Sequence, residues 1–151
     1  IKDFPNLVVT RTFSKIFGLA GLRVGYALAS AEVADLMNRV RQPFNVNNLA
    51  LAAAVAALDD HEFITESYDL NQRGMAQIIA GLQHLGLEYI EPHGNFVTFK
   101  VGNGAVVNQK LLQQGVIVRP IGGYGLPEWL RVTIGKEPEN VRFLEALEKA
   151  L

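Results

Sequence analysis

The 151-residue sequence predicts a mixed α/β fold in two unequal parts, and two patterns lead to this interpretation. Residues 1–30 place short β-branched strands around a glycine-rich loop, which is typical of the tail of a larger α/β domain. Residues 61–151 alternate helices with short strands, as a complete small α+β domain does, and residues 31–60 read as connecting helices. Because the sequence opens on Ile1 and soon enters a strand, we expect the carboxy-terminal part of a longer polypeptide.

The first part begins with a strand at Asn6–Thr12, which its apolar, β-branched composition predicts to be buried on both faces. Val24–Leu28 predicts a second strand. Ser30 suits the N-cap of the helix that follows, and this helix should end before Pro43, because proline disfavours a helical conformation in the preceding residue. An Ala-rich helix then runs up to Leu58.

A long helix is predicted from about Glu62 to His84, with Asp59 or Asp60 as its cap. Gly74 inside this helix indicates either a bend or a weak position, because glycine costs about 1 kcal/mol relative to alanine there. The elements predicted for the small domain are strands at Leu87–Ile90, Phe96–Val101, Val116–Arg119 and Leu130–Ile134, a helix at Ala105–Gln114, and a last helix with Pro138 in its first turn.

Composition argues against several classes of function. The net charge is −1 and the basic residues are dispersed, so a nucleic-acid surface is not expected. The chain has no cysteine, which rules out disulfides and thiolate metal sites and suits a cytoplasmic protein. The longest apolar run, Leu49–Leu58, is about half the length needed to cross a bilayer. The three histidines are isolated, so no metal site is predicted.

The lysine segment is the most informative part of the sequence. Lys15 directly follows a strand, and lysines become nucleophilic when burial or a nearby cation lowers a pKa that is otherwise about 10.4. Arg23 is a candidate for that cation, and its planar fork also suits a phosphate. Thr12 and Ser14 are two residues apart, so in an extended segment their hydroxyls point the same way, and either one is a candidate donor to that phosphate. The alternative is a surface lysine beside a glycine-rich turn.

Two arginines near the end of the chain form a second candidate site. Arg119 ends one predicted strand and Arg131 lies near the start of another, so neighbouring strands would bring both guanidinium groups to one pocket as a carboxylate clamp. The alternative is a pair of salt bridges to Glu128, Glu137 or Glu139.

Asn95 and Tyr124 are further candidates for lining this pocket. The alternatives are a turn residue for Asn95 and a loop anchor for Tyr124. Trp129 is interpreted as core packing.

Arg11–Tyr26 (RTFSKIFGLAGLRVGY) resembles the lysine motif of fold-type I, aspartate-aminotransferase-like enzymes. Within that superfamily the sequence looks closest to the histidinol-phosphate aminotransferases. The resemblance spans essentially the whole chain and corresponds to the last two-fifths or so of a family member. It continues through Arg41–Asn47, Gly94–Val97, Gly115–Pro120 and Gly123–Val132.

The resemblance implies a fold-type I enzyme that uses pyridoxal 5'-phosphate. By this resemblance, Lys15 forms the Schiff base with the cofactor and acts as general acid and base. Arg23 matches the residue that binds the cofactor phosphate, and Thr12 and Ser14 match hydroxyl positions beside it. Other groups that this chemistry needs normally lie upstream in the family, so the 151-residue piece alone is expected to be inactive.

The resemblance also implies the substrates. Arg131 matches the arginine that grips the amino-acid α-carboxylate, and Arg119 matches a second substrate-side arginine of this branch. The implied reaction is transamination between histidinol phosphate or imidazole-acetol phosphate and glutamate or 2-oxoglutarate, carried out by a homodimer in histidine biosynthesis. The alternatives are an aminotransferase for aromatic or branched-chain amino acids, a decarboxylase of the same fold, or a non-catalytic module on this scaffold.

Overall fold

The computed structural model describes all 151 residues, which fall into two compact units, Ile1–Ser67 and Tyr68–Leu151. Each unit has its own hydrophobic core. The boundary between the units lies inside a 24-residue helix, α3 (His61–His84). None of the helices combines the length and the apolar character needed to cross a membrane.

The first unit holds one two-stranded sheet and two helices ahead of α3. Each of its helices begins at a side chain that caps it: Ser30, Asn47 and Asp60 accept hydrogen bonds from the backbone N–H three residues ahead, at 3.4, 2.8 and 3.1 Å. The predicted caps at Ser30 and Asp60 are thereby confirmed. The elements are β1 (Val9–Thr12), antiparallel to β2 (Gly25–Leu28), then α1 (Ala31–Val40) and α2 (Asn48–Asp59).

The prediction of a doubly buried strand at Asn6–Thr12 is wrong in both length and burial. Strand β1 has four residues, and the side chains of β1 and β2 are exposed or half-buried. The reason is that each strand pairs only with the other, while the core of this unit lies beyond the end of β1. That core consists of Phe13, Val24, Ala50 and Ala54.

The second unit is a four-stranded antiparallel sheet with helices packed on one face. Its elements are β3 (Tyr89–Ile90), β4 (Phe96–Lys100), α4 (Gly104–Gln113), β5 (Arg119–Pro120), β6 (Trp129–Thr133) and α5 (Glu137–Ala150). Since side chains alternate between the faces of a strand, residues such as Phe99 and Leu130 are fully buried while their neighbours face the other way. The strand order across the sheet is β3-β4-β6-β5, and helices α4 and α5 contact each other.

The two outer strands are shorter than the sequence predicts. Val116–Arg119 was predicted as a strand, but only Arg119 and Pro120 pair with β6. Val116 and Val118 are buried in the core but do not pair with β6. The alternation of buried and exposed residues here therefore comes from core packing and not from strand pairing. Beyond Pro120, which has no N–H, the Ile121 N–H donates to the Trp129 carbonyl at 3.4 Å.

Asn140 joins three segments of the second unit from inside the core, where it is 2% exposed. Its Oδ1 accepts from the Gly135 N–H at 2.9 Å. Its Nδ2 donates to the Gly135 carbonyl and to Gln77 Oε1, both at 3.0 Å. The start of α5, the turn before it and α3 are therefore linked by one fully bonded buried amide.

Gly74 is a close-packing position, a role that neither predicted interpretation includes. Helix α3 continues through it without interruption. A Cβ on Gly74 would lie 2.6 Å from Ile134 Cγ2 and 2.9 Å from Asn140 Nδ2. The missing side chain therefore allows α3 to approach the end of β6 and the buried amide.

Gly74→Ala is expected to lower the free energy of unfolding by about 1–3 kcal/mol, because overpacking outweighs a helix-propensity gain of about 1 kcal/mol. Chemical denaturation of the chain measures this difference. Ala76→Gly, at an exposed position of the same helix, is the control and should show the ordinary glycine cost. If Gly74→Ala unfolds at a higher denaturant concentration than the wild type, the close-packing role of Gly74 is contradicted.

Candidate functional site

The turn that carries Lys15 is anchored on both sides by the core of the first unit. Phe13 is 4% exposed, its N–H donates to the Val24 carbonyl at 3.2 Å, and its carbonyl accepts from the Leu19 N–H at 2.9 Å. Within this frame the Gly18 N–H donates to the Lys15 carbonyl at 2.9 Å, and Gly18 adopts a φ of 69° that favours glycine. The Lys15 side chain is exposed, so the burial that would activate it is not provided by these 151 residues.

Arg23 connects this turn to the hydroxyl groups at the end of β1. Its Nη1 donates to the Ala20 carbonyl at 2.7 Å and lies 3.4 Å from Ser14 Oγ, which accepts from it. Thr12 Oγ1 accepts from the Ser14 N–H at 3.0 Å. A guanidinium and two hydroxyls thus lie in one connected group that includes Ser14, the residue before Lys15, and this combination suits an oxyanion such as phosphate.

The backbone of Arg23 is held in a conformation that non-glycine residues rarely adopt. Its φ is 55° and its ψ is 46°, at the end of a 3₁₀ turn over Ala20–Leu22. A left-handed backbone costs an ordinary residue roughly 1–2 kcal/mol. A glycine would avoid this cost, so the arginine is placed here against the local conformational preference, which is a feature associated with functional sites.

Arg23→Gly is expected to be more stable than Arg23→Ala by about 1 kcal/mol, because only glycine adopts the left-handed conformation without strain. The comparison is made by chemical denaturation of the chain. The same two substitutions at Arg39, inside α1, should show the opposite order, since alanine is the better helix former. Equal stabilities for the two Arg23 variants would contradict the strained backbone.

The second cluster lies on the face of the four-stranded sheet that is turned away from the core. Arg119 on β5 and Arg131 on β6 are direct register partners, so both side chains leave the same face. Thr98 on β4 is the partner of Arg131 on its other side. Like charges directly opposite each other destabilise a sheet, and this arrangement therefore needs compensation.

No acidic side chain supplies that compensation. Glu128 forms a salt bridge with Lys100 at 3.4 Å, and Glu139 accepts from the Lys136 N–H at 2.7 Å. The salt bridges in the structure involve neither Arg119 nor Arg131. The structural alternative, a pair of ion pairs to neighbouring glutamates, is therefore wrong.

Each arginine contacts an aromatic ring instead. Arg119 Nη2 donates to the Tyr124 hydroxyl at 3.3 Å, and its Cζ lies 5.9 Å from the centroid of that ring. Arg131 is half-buried, and its Cζ lies 4.7 Å from the centroid of the Phe96 ring. Both positive charges consequently remain available to an anionic ligand.

The remaining predicted residues differ in what they contact. The Asn95 carbonyl accepts from the Ile134 N–H at 2.9 Å, and its side chain is exposed. Trp129 is half-buried and lies outside the hydrophobic core, because it shares the outer face of β6 with Arg131. Phe96 was not identified as a site residue, although its position two residues before Thr98 on one strand places both on the arginine face.

Comparison with known proteins gives one consistent family. Residues 1–147 match the family described as aminotransferase class I and II. The chain is 84% identical over 151 residues to histidinol-phosphate aminotransferase 1 of Dechloromonas aromatica, covering all of this chain and 42% of that protein. It is 60% identical over 152 residues to histidinol-phosphate aminotransferase 2 of Nitrosospira multiformis, covering 39% of that protein. The chain thus spans about two-fifths of the length of these relatives.

Solved structures share the fold. The histidinol-phosphate aminotransferase from Clostridium acetobutylicum superposes with a TM-score of 0.92 at 29% identity, over 98% of this chain and 46% of that one. The enzyme of the same name from Sinorhizobium meliloti, in complex with pyridoxal-5'-phosphate, gives 0.89 at 29% identity, over 98% and 42%. L-threonine-O-3-phosphate decarboxylase from Porphyromonas gingivalis gives 0.83 at 26% identity, over 99% and 48%. The predicted fold class is confirmed.

Proposed function

Because the chain belongs to the class I and II aminotransferase family, we propose that the whole protein is a pyridoxal-phosphate-dependent aminotransferase of histidine biosynthesis. Its substrates would be histidinol phosphate or imidazole-acetol phosphate on one side and glutamate or 2-oxoglutarate on the other. The identity of 84% with a histidinol-phosphate aminotransferase supports this substrate class. The family resemblance also favours a homodimer.

The observation that carries the cofactor assignment is the hydrogen-bonded group of Arg23, Ser14 and Thr12 next to Lys15 in the chain. Arg23, Ser14 and Thr12 combine a planar cation with two hydroxyls, and this donor set fits a phosphate ester. Lys15, which carries a primary amine, directly follows Ser14 and begins the turn that the Gly18 N–H closes. The residues present therefore fit pyridoxal phosphate, which needs both an anion site and an amine.

When bound, pyridoxal phosphate supplies the electron sink for the reaction. We assign to Lys15 the covalent attachment of the cofactor and the movement of a proton at the reacting carbon of the substrate. The anchored backbone around Phe13 fixes the base of the lysine stem, which limits where the amine can reach. Arg23, with Ser14 and Thr12, would hold the phosphate end.

The arginine pair on the sheet face accounts for the two kinds of substrate. Glutamate carries carboxylates and histidinol phosphate carries a phosphate, and a guanidinium binds either anion through two hydrogen bonds. We assign anion binding to Arg131 and Arg119, which have no acidic partners. Tyr124, which accepts from Arg119, and Asn95 are proposed to line the same pocket.

Lys15→Ala in the full-length protein is expected to abolish borohydride-dependent labelling by the cofactor and to lower transamination by at least about a thousandfold, because no other amine takes its place. Mass spectrometry of the reduced protein detects the label independently of turnover. Lys2→Ala is the control, since it removes an exposed lysine that lies outside the turn. A labelled Lys15→Ala protein would refute the assignment.

The substrate class is tested by supplying the full-length protein with glutamate and a panel of acceptors. We expect imidazole-acetol phosphate to be used at least about tenfold more efficiently than aromatic or branched-chain keto acids, because a phosphate can pair with both guanidinium groups. Formation of 2-oxoglutarate measures turnover. A preference for a keto acid without phosphate indicates another aminotransferase, and release of carbon dioxide indicates a decarboxylase.

A further inference from the structure

We propose that Phe96 is a positioning residue that orients the Arg131 guanidinium toward substrate anions without neutralising its charge. The inference rests on the proposed function, because it concerns how the anion site is held ready. Phe96 is 39% exposed and is not part of the hydrophobic core.

The register of the sheet brings the ring and the cation together. Phe96 is the partner of Thr133, and Arg131 is the partner of Thr98, so Phe96 and Arg131 are diagonal neighbours on one face. The Arg131 Cζ lies over the ring, 4.7 Å from its centroid. This distance is within the range of a cation–π interaction, which extends to about 6 Å.

The interaction uses a part of the guanidinium that anion binding does not need. A ring contacts the flat face of the group, whereas carboxylates and phosphates accept hydrogen bonds from the N–H groups along its edge. An acidic neighbour would occupy those N–H groups and compete with the substrate. Phe96 can therefore fix the plane of Arg131 and leave its donors free.

Arg119 shows the contrast on the neighbouring strand. One of its nitrogens already donates to the Tyr124 hydroxyl, and its Cζ lies farther from that ring, at 5.9 Å. The Arg131 guanidinium donates to no side chain or carbonyl in the structure and takes part in neither salt bridge. Phe96 is therefore the side chain that orients the Arg131 guanidinium, whose N–H groups have no partner within the chain.

The test uses the full-length holoenzyme and the substitution Phe96→Leu, which keeps an apolar side chain but removes the ring. We expect KM for glutamate to rise about three- to tenfold while kcat changes less than about twofold, since the ring orients a binding group. Phe96→Tyr retains a ring and should have KM within about twofold of the wild type. Ile90→Ala, an exposed apolar change on β3 of the same sheet, is the matched control.

A double-mutant cycle with Arg131→Lys separates a positioning role from a structural one. Lysine keeps the charge but has no planar group to stack, so Phe96→Leu should change KM less than about twofold in that background. The inference is overturned if Phe96→Leu leaves KM unchanged or if Phe96→Tyr raises KM as much as Phe96→Leu does. It is also overturned if the effects of Phe96→Leu and Arg131→Lys on the free energy of glutamate binding are additive. Cofactor absorbance reports whether each variant is folded and loaded.

The outcome is distinguishable from a failure of the proposed function. If the wild-type protein transaminates none of the substrates, the function itself is refuted before any variant is made. If the wild type is active and Phe96→Leu behaves as the wild type does, only the positioning role is refuted.

Discussion

The pairing of β4 with β6 is the constraint on which the second unit depends. One face of this pair completes the core, where Phe99 on β4 meets the Phe143 ring edge-on at 5.7 Å between centroids. Because strand side chains alternate, the register that buries Phe99 and Leu130 also turns Arg131 outward. A shift by one residue would bury the arginine and expose the core, so burial fixes the position of the cation.

The lysine turn achieves its order by a different route. The core of the first unit is small. It is stabilised by the buried side chains of Phe13 and Val24, and the Phe13 N–H donates to the Val24 carbonyl. Above this base, Arg23 folds back onto the Ala20 carbonyl in a strained conformation. The buried side chains and loop hydrogen bonds of the first unit are therefore concentrated around this turn, while β1 and β2 leave most of their side chains accessible.

The sequence predicted most of the helices because helix signals are local. Ser30 and Asp60 cap helices through hydrogen bonds that span three residues, so the residue types near each helix start are enough to predict both caps. The exposure of β1 and the short ladder of β5 depend instead on which strands become neighbours, and that information is not local. Gly74 illustrates the same limit, since its reason lies in Ile134, which is sixty residues away.

In the candidate site, too, the residues that are close in sequence could be predicted and the contacts between distant strands could not. Lys15 and Arg23 are close in sequence and were identified together, whereas the partner of Arg131 was not. The nearby glutamates of the sequence favour salt bridges to Arg131, but the register of the sheet places the Phe96 ring beside it. Which of several nearby groups meets a side chain is decided by strand pairing, and composition alone does not reveal it.

Pro120 has a consequence for how the sheet meets other molecules. The Ile121 N–H bonds inward to β6, so by alternation the nitrogen of Pro120 faces the unpaired side of β5. An incoming strand would find no donor there and only two residues with which to align. The edge beside the two arginines is therefore a poor template for intermolecular β-sheet growth.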